Sequence, residues 1–236
     1  MKSLYFFIGL LLTINNLSAQ KKVTENASSN NINDVYVHLK FANNIIVKNW
    51  NKNEISVEAT VNLDNNEHND YFSLNAENTG NTYKIRSEYG DYFKKYRSYT
   101  KNDDKEISTY RHKNIVNYVI YVPKNMNLKV KSISGDVEAE NFVGVLNLDL
   151  ISGNITVKKH SKEMQLKTIS GDIDIYVADA KLEAKTLTGG VYSNLEINFD
   201  KNKKTGFGSK IVTTINKGTA FLKLNTISGD IYLRKI

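Results

Sequence analysis

Ile133-Ser134-Gly135-Asp136, Ile151-Ser152-Gly153-Asn154, Ile169-Ser170-Gly171-Asp172, Leu187-Thr188-Gly189-Gly190 and Ile227-Ser228-Gly229-Asp230 are five copies of one tetrapeptide in a chain of 236 residues. The glycines at 135, 153, 171 and 189 stand 18 positions apart, and 40 positions separate Gly189 from Gly229. Self-similarity at a fixed period marks a repeat architecture, in which each unit buries its apolar face by stacking on the next. The longer gap has room for two units, and Gly208, near its midpoint, marks a degenerate one.

Around each glycine, apolar and polar residues alternate. Leu146, Leu148 and Leu150 precede Ser152, with Ile155 and Val157 after it; Leu222, Leu224 and Thr226 precede Ser228, with Ile231 and Leu233 after it. Period two means half-buried strands. Asn147, Asp149, Gln165, Lys167, Glu183, Lys185, Lys223 and Asn225 fall on the solvent side. The residue before each Ser/Thr-Gly breaks the alternation in every copy (Ile133, Ile151, Ile169, Leu187, Ile227). A fault repeated at one place is a bend, with glycine supplying a backbone conformation closed to other residues and Asp or Asn bonding nearby backbone. Gly135, Asp136, Gly153, Asn154, Gly171, Asp172, Gly189, Gly229 and Asp230 are therefore read as structural turns.

The pattern predicts an all-β chain whose second half is a parallel β-solenoid of about 18 residues per unit, with residue i beside residue i+18. The alternative is an antiparallel β meander, because Gly-Asp between two strands is also a hairpin signal. The meander predicts pairing across each Gly-Asp and gives no reason for equal lengths. The last strand, Ile231 to Ile236, is expected as an open edge blunted by Arg234 and Lys235.

The N-terminus carries Lys2 and the apolar run Leu4 to Leu12, too short to span a bilayer, followed by Leu17-Ser18-Ala19. Residues 1–19 are read as a signal peptide, which implies export to the periplasm or the cell surface. No other stretch is long and apolar enough to cross a membrane once that peptide is removed. The chain has no cysteine, so disulfides and a lipid anchor on cysteine are excluded. The formal charge is +7, yet only Arg86, Arg97, Arg111 and Arg234 are arginines, the residue suited to phosphate recognition, so nucleic acid is not expected as a partner.

After cleavage the expected organisation is a flexible lead-in at 20–33, a β-rich part at 34–125 and the repeat array at 126–236. Val35 to Leu39, Ile45 to Val47, Ile55 to Ala59, Tyr83 to Ile85 and Val116 to Val122 read as strands, and Pro123-Lys124-Asn125 as the joint with the array. Three segments carry a resemblance: Ile46-Val47-Lys48-Asn49-Trp50-Asn51-Lys52-Asn53-Glu54-Ile55-Ser56-Val57, Tyr118-Val119-Ile120-Tyr121-Val122-Pro123-Lys124, and the Ser-Gly-Asp units. Together they resemble the bacterial putative-adhesin family of β-repeat envelope domains. The resemblance covers nearly the whole mature chain. It implies β-helix-like repeats, export or membrane attachment, and no catalytic residues. The chain departs from the family in lacking an anchor and in holding an insertion at 86–114.

That insertion gathers Tyr89, Tyr92, Phe93, Lys94, Lys95, Tyr96, Arg97 and Tyr99. Aromatic faces beside cations can stack on sugar rings or hold anionic groups, which makes these the candidate ligand-binding residues; a solvated loop is the competing reading. The carboxylates after each glycine could hold Ca²⁺, but turn chemistry alone accounts for them. His38, His68, His112 and His160 each lack a partner at zinc spacing, so no metal is expected. The serine of each unit has no nucleophile-elbow frame, and no phosphate loop or redox motif occurs, so no catalytic residue and no cofactor are expected. The chain reads as a non-enzymatic exported envelope protein, an adhesin-like scaffold binding a cell-surface polysaccharide or envelope protein. The alternatives are a carbohydrate-active enzyme on a β-helical scaffold and an accessory in envelope-stress sensing.

Overall fold

In the computed structural model, residues 20–96, 113–160, 162–196 and 208–236 are described. Residues 1–19, read as a signal peptide, and Arg97, Tyr99 and His112 lie outside them. In chain order the strands are β1 (Lys21–Ser28), β2 (Asp34–Leu39), β3 (Asn44–Trp50), β4 (Glu54–Leu63), β5 (Ser73–Thr79) and β6 (Thr82–Glu88). After the single turn α1 (Tyr92–Lys95) come β7 (Asn114–Pro123), β8 (Asn127–Ser132), β9 (Asp136–Ala139), β10 (Val145–Leu150), β11 (Ile155–Val157) and β12 (Met164–Lys167). The last six are β13 (Ile173–Val177), β14 (Ala180–Thr186), β15 (Val191–Ser193), β16 (Ser209–Ile215), β17 (Ala220–Thr226) and β18 (Ile231–Lys235).

The strands form two nine-stranded sheets, ordered β1-β4-β7-β3-β9-β11-β13-β18-β15 and β16-β14-β17-β12-β10-β8-β2-β6-β5. Read side by side, the orders give seven rungs, each with one strand in either sheet: β6/β7, β2/β3, β8/β9, β10/β11, β12/β13, β17/β18 and β14/β15. Neighbouring rungs pair in parallel, with Leu128, Leu146 and Met164 abreast at the expected offset of 18. Strands flanking a Gly-Asp corner lie in opposite sheets, so the solenoid holds and the meander does not. Antiparallel strands cap the stack: β5 and the β4–β1 pair at one end, β16 at the other.

The alternation read from sequence places the core between the sheets. Ile85, Val37, Val130, Leu148, Leu166, Leu224 and Ala184 form one inward column, and Ile120, Val47, Ala139, Val157, Ile175 and Leu233 face it from the other sheet, all buried. Each large aliphatic side chain removed from water contributes about 1.5–3 kcal/mol.

Rung order departs from chain order at the C-terminal end. Met164 pairs with Leu222, at an offset of 58, and Leu222 pairs on its other side with Leu182, at an offset of 40. The rung β17/β18 therefore sits between β12/β13 and β14/β15. Gly171 and Gly189 are one period apart in sequence but not neighbours, since Gly229 lies between them. The last strand is not an open edge either: β18 bonds β13 on one side and β15 on the other. Gly208 marks no rung; it precedes β16, which runs antiparallel to β14.

The first half also departs from expectation. The segment Lys21–Ser28, expected within a flexible lead-in, is a strand paired along its whole length with β4. Its alternating half-buried pattern, Lys21, Val23, Glu25 and Ala27 inward, was masked by polar composition. Strands β2 and β3 form a full rung whose corner, Lys40-Phe41-Ala42-Asn43, lacks glycine and is one residue longer: Leu39 pairs with Ser132 but Asn44 with Asp136.

The acidic column is a backbone clamp. Asn154 N–H donates to Asp136 Oδ1, Asp172 N–H to Asn154 Oδ1, Asp230 N–H to Asp172 Oδ1 and Gly190 N–H to Asp230 Oδ1, each at 2.8 Å. One carboxylate or amide oxygen thus closes each Ser-Gly corner onto the next. Buried threonines add a second ladder: Thr168, Thr226 and Thr186 hydroxyls donate to the carbonyls of Gly153, Gly171 and Gly229 at 3.0, 2.9 and 2.8 Å. Replacing Asp172 by alanine removes the acceptor for Asp230 N–H, and denaturant unfolding should show a loss of about 1 kcal/mol. Asp172→Asn keeps the oxygen and should stay within about 0.5 kcal/mol of the parent.

Candidate functional site

The aromatic residues proposed for binding divide by burial. Tyr89 and Tyr92 are 2% and 1% exposed, so these two rings serve the core. Strand β6 delivers Tyr89 beneath the β2–β3 corner, where its hydroxyl donates to Phe41 O at 3.0 Å and meets Tyr118 Oη at 3.3 Å. Burial, with Tyr118 adding to it, pushes the Tyr89 phenol far up; burial likewise raises Tyr118 to about 12. Both stay neutral and act as hydrogen-bonding spacers. Tyr92 opens α1 and its hydroxyl donates to Asn114 Oδ1 at 2.7 Å, which ties α1 to β7. Burial chiefly raises its phenol too, with the nearby Asp64 charge contributing.

On that buried footing the outer residues of α1 face solvent. Phe93 is 38% exposed and its ring centroid lies 4.5 Å from that of Phe41, itself 37% exposed. Lys94 and Lys95 are exposed beside them. Lys95 bonds Asp91 at 3.2 Å and Tyr71 Oη at 3.1 Å. Tyr96 is half-buried and stacks on His68 at 4.1 Å. The structure thus brings Phe93, Lys94, Lys95 and Tyr96 to one edge of the stack, next to the β2–β3 corner.

Two further aromatic pairs were missed. On the outward face of the β1-to-β15 sheet, Trp50 stacks on Tyr121 at 4.8 Å, with Lys52 Nζ 4.5 Å from the Trp50 ring centre. At the far end of the same face, Tyr192 stacks on Tyr232 at 5.5 Å, with the Arg234 guanidinium 5.6 Å from the Tyr232 ring. Arg234 is held in turn by both oxygens of Asp174, at 2.6 and 2.8 Å, which raises its pKa. The signal was present: Trp50, Tyr121, Tyr192 and Tyr232 occupy positions where the alternation asks for solvent-facing residues.

The histidines take separate roles. His160 is buried, accepts the Ala178 N–H at Nε2 (3.1 Å), and is lowered in pKa by that burial. His38 lies outward on β2 and is also lowered, by burial first and then by Lys131, Lys40 and Arg86. His68 does not stand alone: Asp64 and Glu67 converge on it. Among the described residues no helix is long and apolar enough to cross a membrane.

Glycine corners, clamped rungs and two mostly parallel sheets define a β-solenoid scaffold. Residues 122–234 match the model of the Toastrack DUF4097 family, whose function is unknown. The resemblance to a putative-adhesin family thus holds. A putative cell adhesion protein from Clostridium sporogenes has a similar structure, with a TM-score of 0.59 at 13% identity over 92% of this chain and 100% of its own, which supports the fold. A putative adhesin from Bacteroides fragilis aligns at a TM-score of 0.36 and 10% identity, over 93% of this chain and 99% of its own. No curated protein matches the chain.

Proposed function

We propose that this protein is a non-enzymatic, exported adhesin-like scaffold that binds a cell-surface glycan by contact at several points along its stack. The observation that carries this reading is the outward presentation of three aromatic pairs: Phe41–Phe93, Trp50–Tyr121 and Tyr192–Tyr232. The core does not need these rings on the solvent side, and each leaves apolar surface exposed. A pyranose packs its C–H face on such a ring, and a neighbouring Lys or Arg bonds its hydroxyls or an acidic substituent. The strand spacing of about 4.8 Å is close to the length of one sugar residue, so a chain laid across the strands meets successive rungs in step. Weak contacts at several points then combine by effective concentration into useful avidity.

Glycan-array binding by the full chain tests this. Trp50→Ala, Phe93→Ala and Tyr192→Ala should each weaken binding about tenfold, in line with the loss of one aromatic anchor, and the triple variant should abolish it. Release of reducing ends from a bound polysaccharide would replace this reading with the enzyme alternative. Co-purification of an envelope protein without any glycan binding would replace it with a protein partner, the role foreseen for an envelope-stress accessory.

A further inference from the structure

Asp64, Glu67 and His68 follow β4 in the tight turn that leads into the 3-10 turn Asn69–Tyr71. One ligand atom from each lies within 4.8 Å of the others. His68 Nε2 stands 3.7 Å from Asp64 Oδ2. That exceeds a hydrogen bond, but it is close to the roughly 3.4 Å between two atoms bound at about 2.1 Å to one tetrahedral ion.

The arrangement is held from outside by groups that are not ligands. Leu63 N–H donates to Asn69 Oδ1 at 2.8 Å, Asn66 N–H to Asn62 Oδ1 at 2.9 Å, and Asn69 Nδ2 to Asn66 Oδ1 at 3.1 Å. The imidazole plane is set by stacking on Tyr96 at 4.1 Å and by the edge of Tyr71 at 6.1 Å. The His68 and Asp64 side chains are only 20% and 19% exposed, against the aromatic cluster, while Glu67 faces solvent. One side is walled by rings and the other is open to an arriving ion.

We propose that Asp64, Glu67 and His68 form a site for a divalent transition-metal ion of the zinc type, with water completing the coordination. One imidazole nitrogen with two carboxylate oxygens suits zinc, cobalt or nickel. Calcium and magnesium take six or more oxygen ligands and are disfavoured here. Because His68 stacks on Tyr96, just past α1, the ion ties the β4 turn to the aromatic edge. The site stands independently of the glycan reading.

The test uses the full chain purified without a histidine tag and stripped with a chelator. Titration with Zn²⁺ by calorimetry and with Co²⁺ by visible absorption should show one saturable site. Asp64→Asn, Glu67→Gln and His68→Phe should each weaken it about tenfold or more. Asparagine tolerates the left-handed backbone at 64 (φ 49°), and phenylalanine keeps the stacking on Tyr96, so circular dichroism should be unchanged in both. His38→Gln should bind as the parent does. Absence of saturable binding, binding unaffected by the three variants, or a preference for Ca²⁺ over Zn²⁺ would each overturn the proposal.

Discussion

Gly171→Ala should cost the protein about 4 kcal/mol or more, in the range where single substitutions abolish folding, and urea unfolding should show either a collapsed midpoint or no folded baseline. A methyl group built on Gly171 would lie 2.1 Å from Gly153 O and 2.6 Å from Gly153 C. Those atoms are backbone, fixed by hydrogen bonds to the rungs on either side, so they cannot rotate away. The backbone at 171 also has φ +152°, which disfavours a side chain. The contrast is Gly80, where φ is +63° and nothing lies within 4 Å of the added carbon. Gly80→Ala should therefore lose only the conformational term, about 1–2 kcal/mol. Similar losses at the two positions would mean that the corners do not stack as described.

Ending the chain after Gly218 should have a comparably large effect. It removes β17 and β18, and with them Ala220, Leu222, Leu224, Ile231 and Leu233 from the core. Four large aliphatic side chains at about 2 kcal/mol each amount to a sum comparable with the whole stability of an ordinary domain. Removing that rung also strips from β14 and from β15 the only parallel partner each has among the described residues. Hydrogen exchange should show amides of 180–196 losing protection along with aggregation of the exposed strands. Were the rungs stacked in chain order, the same deletion would trim one end and leave 180–196 protected, and that result would contradict the rung order.

The sequence carried the solenoid because its signal is local and repeated. Between Asn127 and Val177 the 18-residue period translates directly into register. Beyond Val177 period alone does not say which unit lies beside which, since all units share one corner motif and one alternation. The discriminating residue is Gly190. Every other Ser-Gly corner offers an Asp or Asn side chain to the next rung, whereas Gly190 offers none and only receives, from Asp230. A unit that cannot clamp a successor belongs at the end of the stack. The rung β2/β3 escaped notice for the opposite reason, since its longer corner replaces Ser-Gly with Phe41-Ala42. For the candidate site, composition located the aromatic edge but not its layering, because a tyrosine serves equally as a buried ring with a bonded hydroxyl or as an exposed face. Tyr89 went inward against Phe72 and Tyr118, Tyr92 inward against Tyr71 and Asn114, and Phe93 and Tyr96 outward, and only that packing decided it. His68 looked isolated because its carboxylate partners come from a turn whose three consecutive left-handed residues, Asp64, Asn65 and Asn66, no spacing rule anticipates.

The interior place of β17/β18 governs the timing of assembly. A ribosome makes residues 220–235 after both units that will flank them, so the chain cannot seal its stack progressively as it emerges. The unit at 180–193 must wait, undocked, until the younger segment slides in beside 164–177. Closure at that end is thus a late, non-local event of the kind that slows folding.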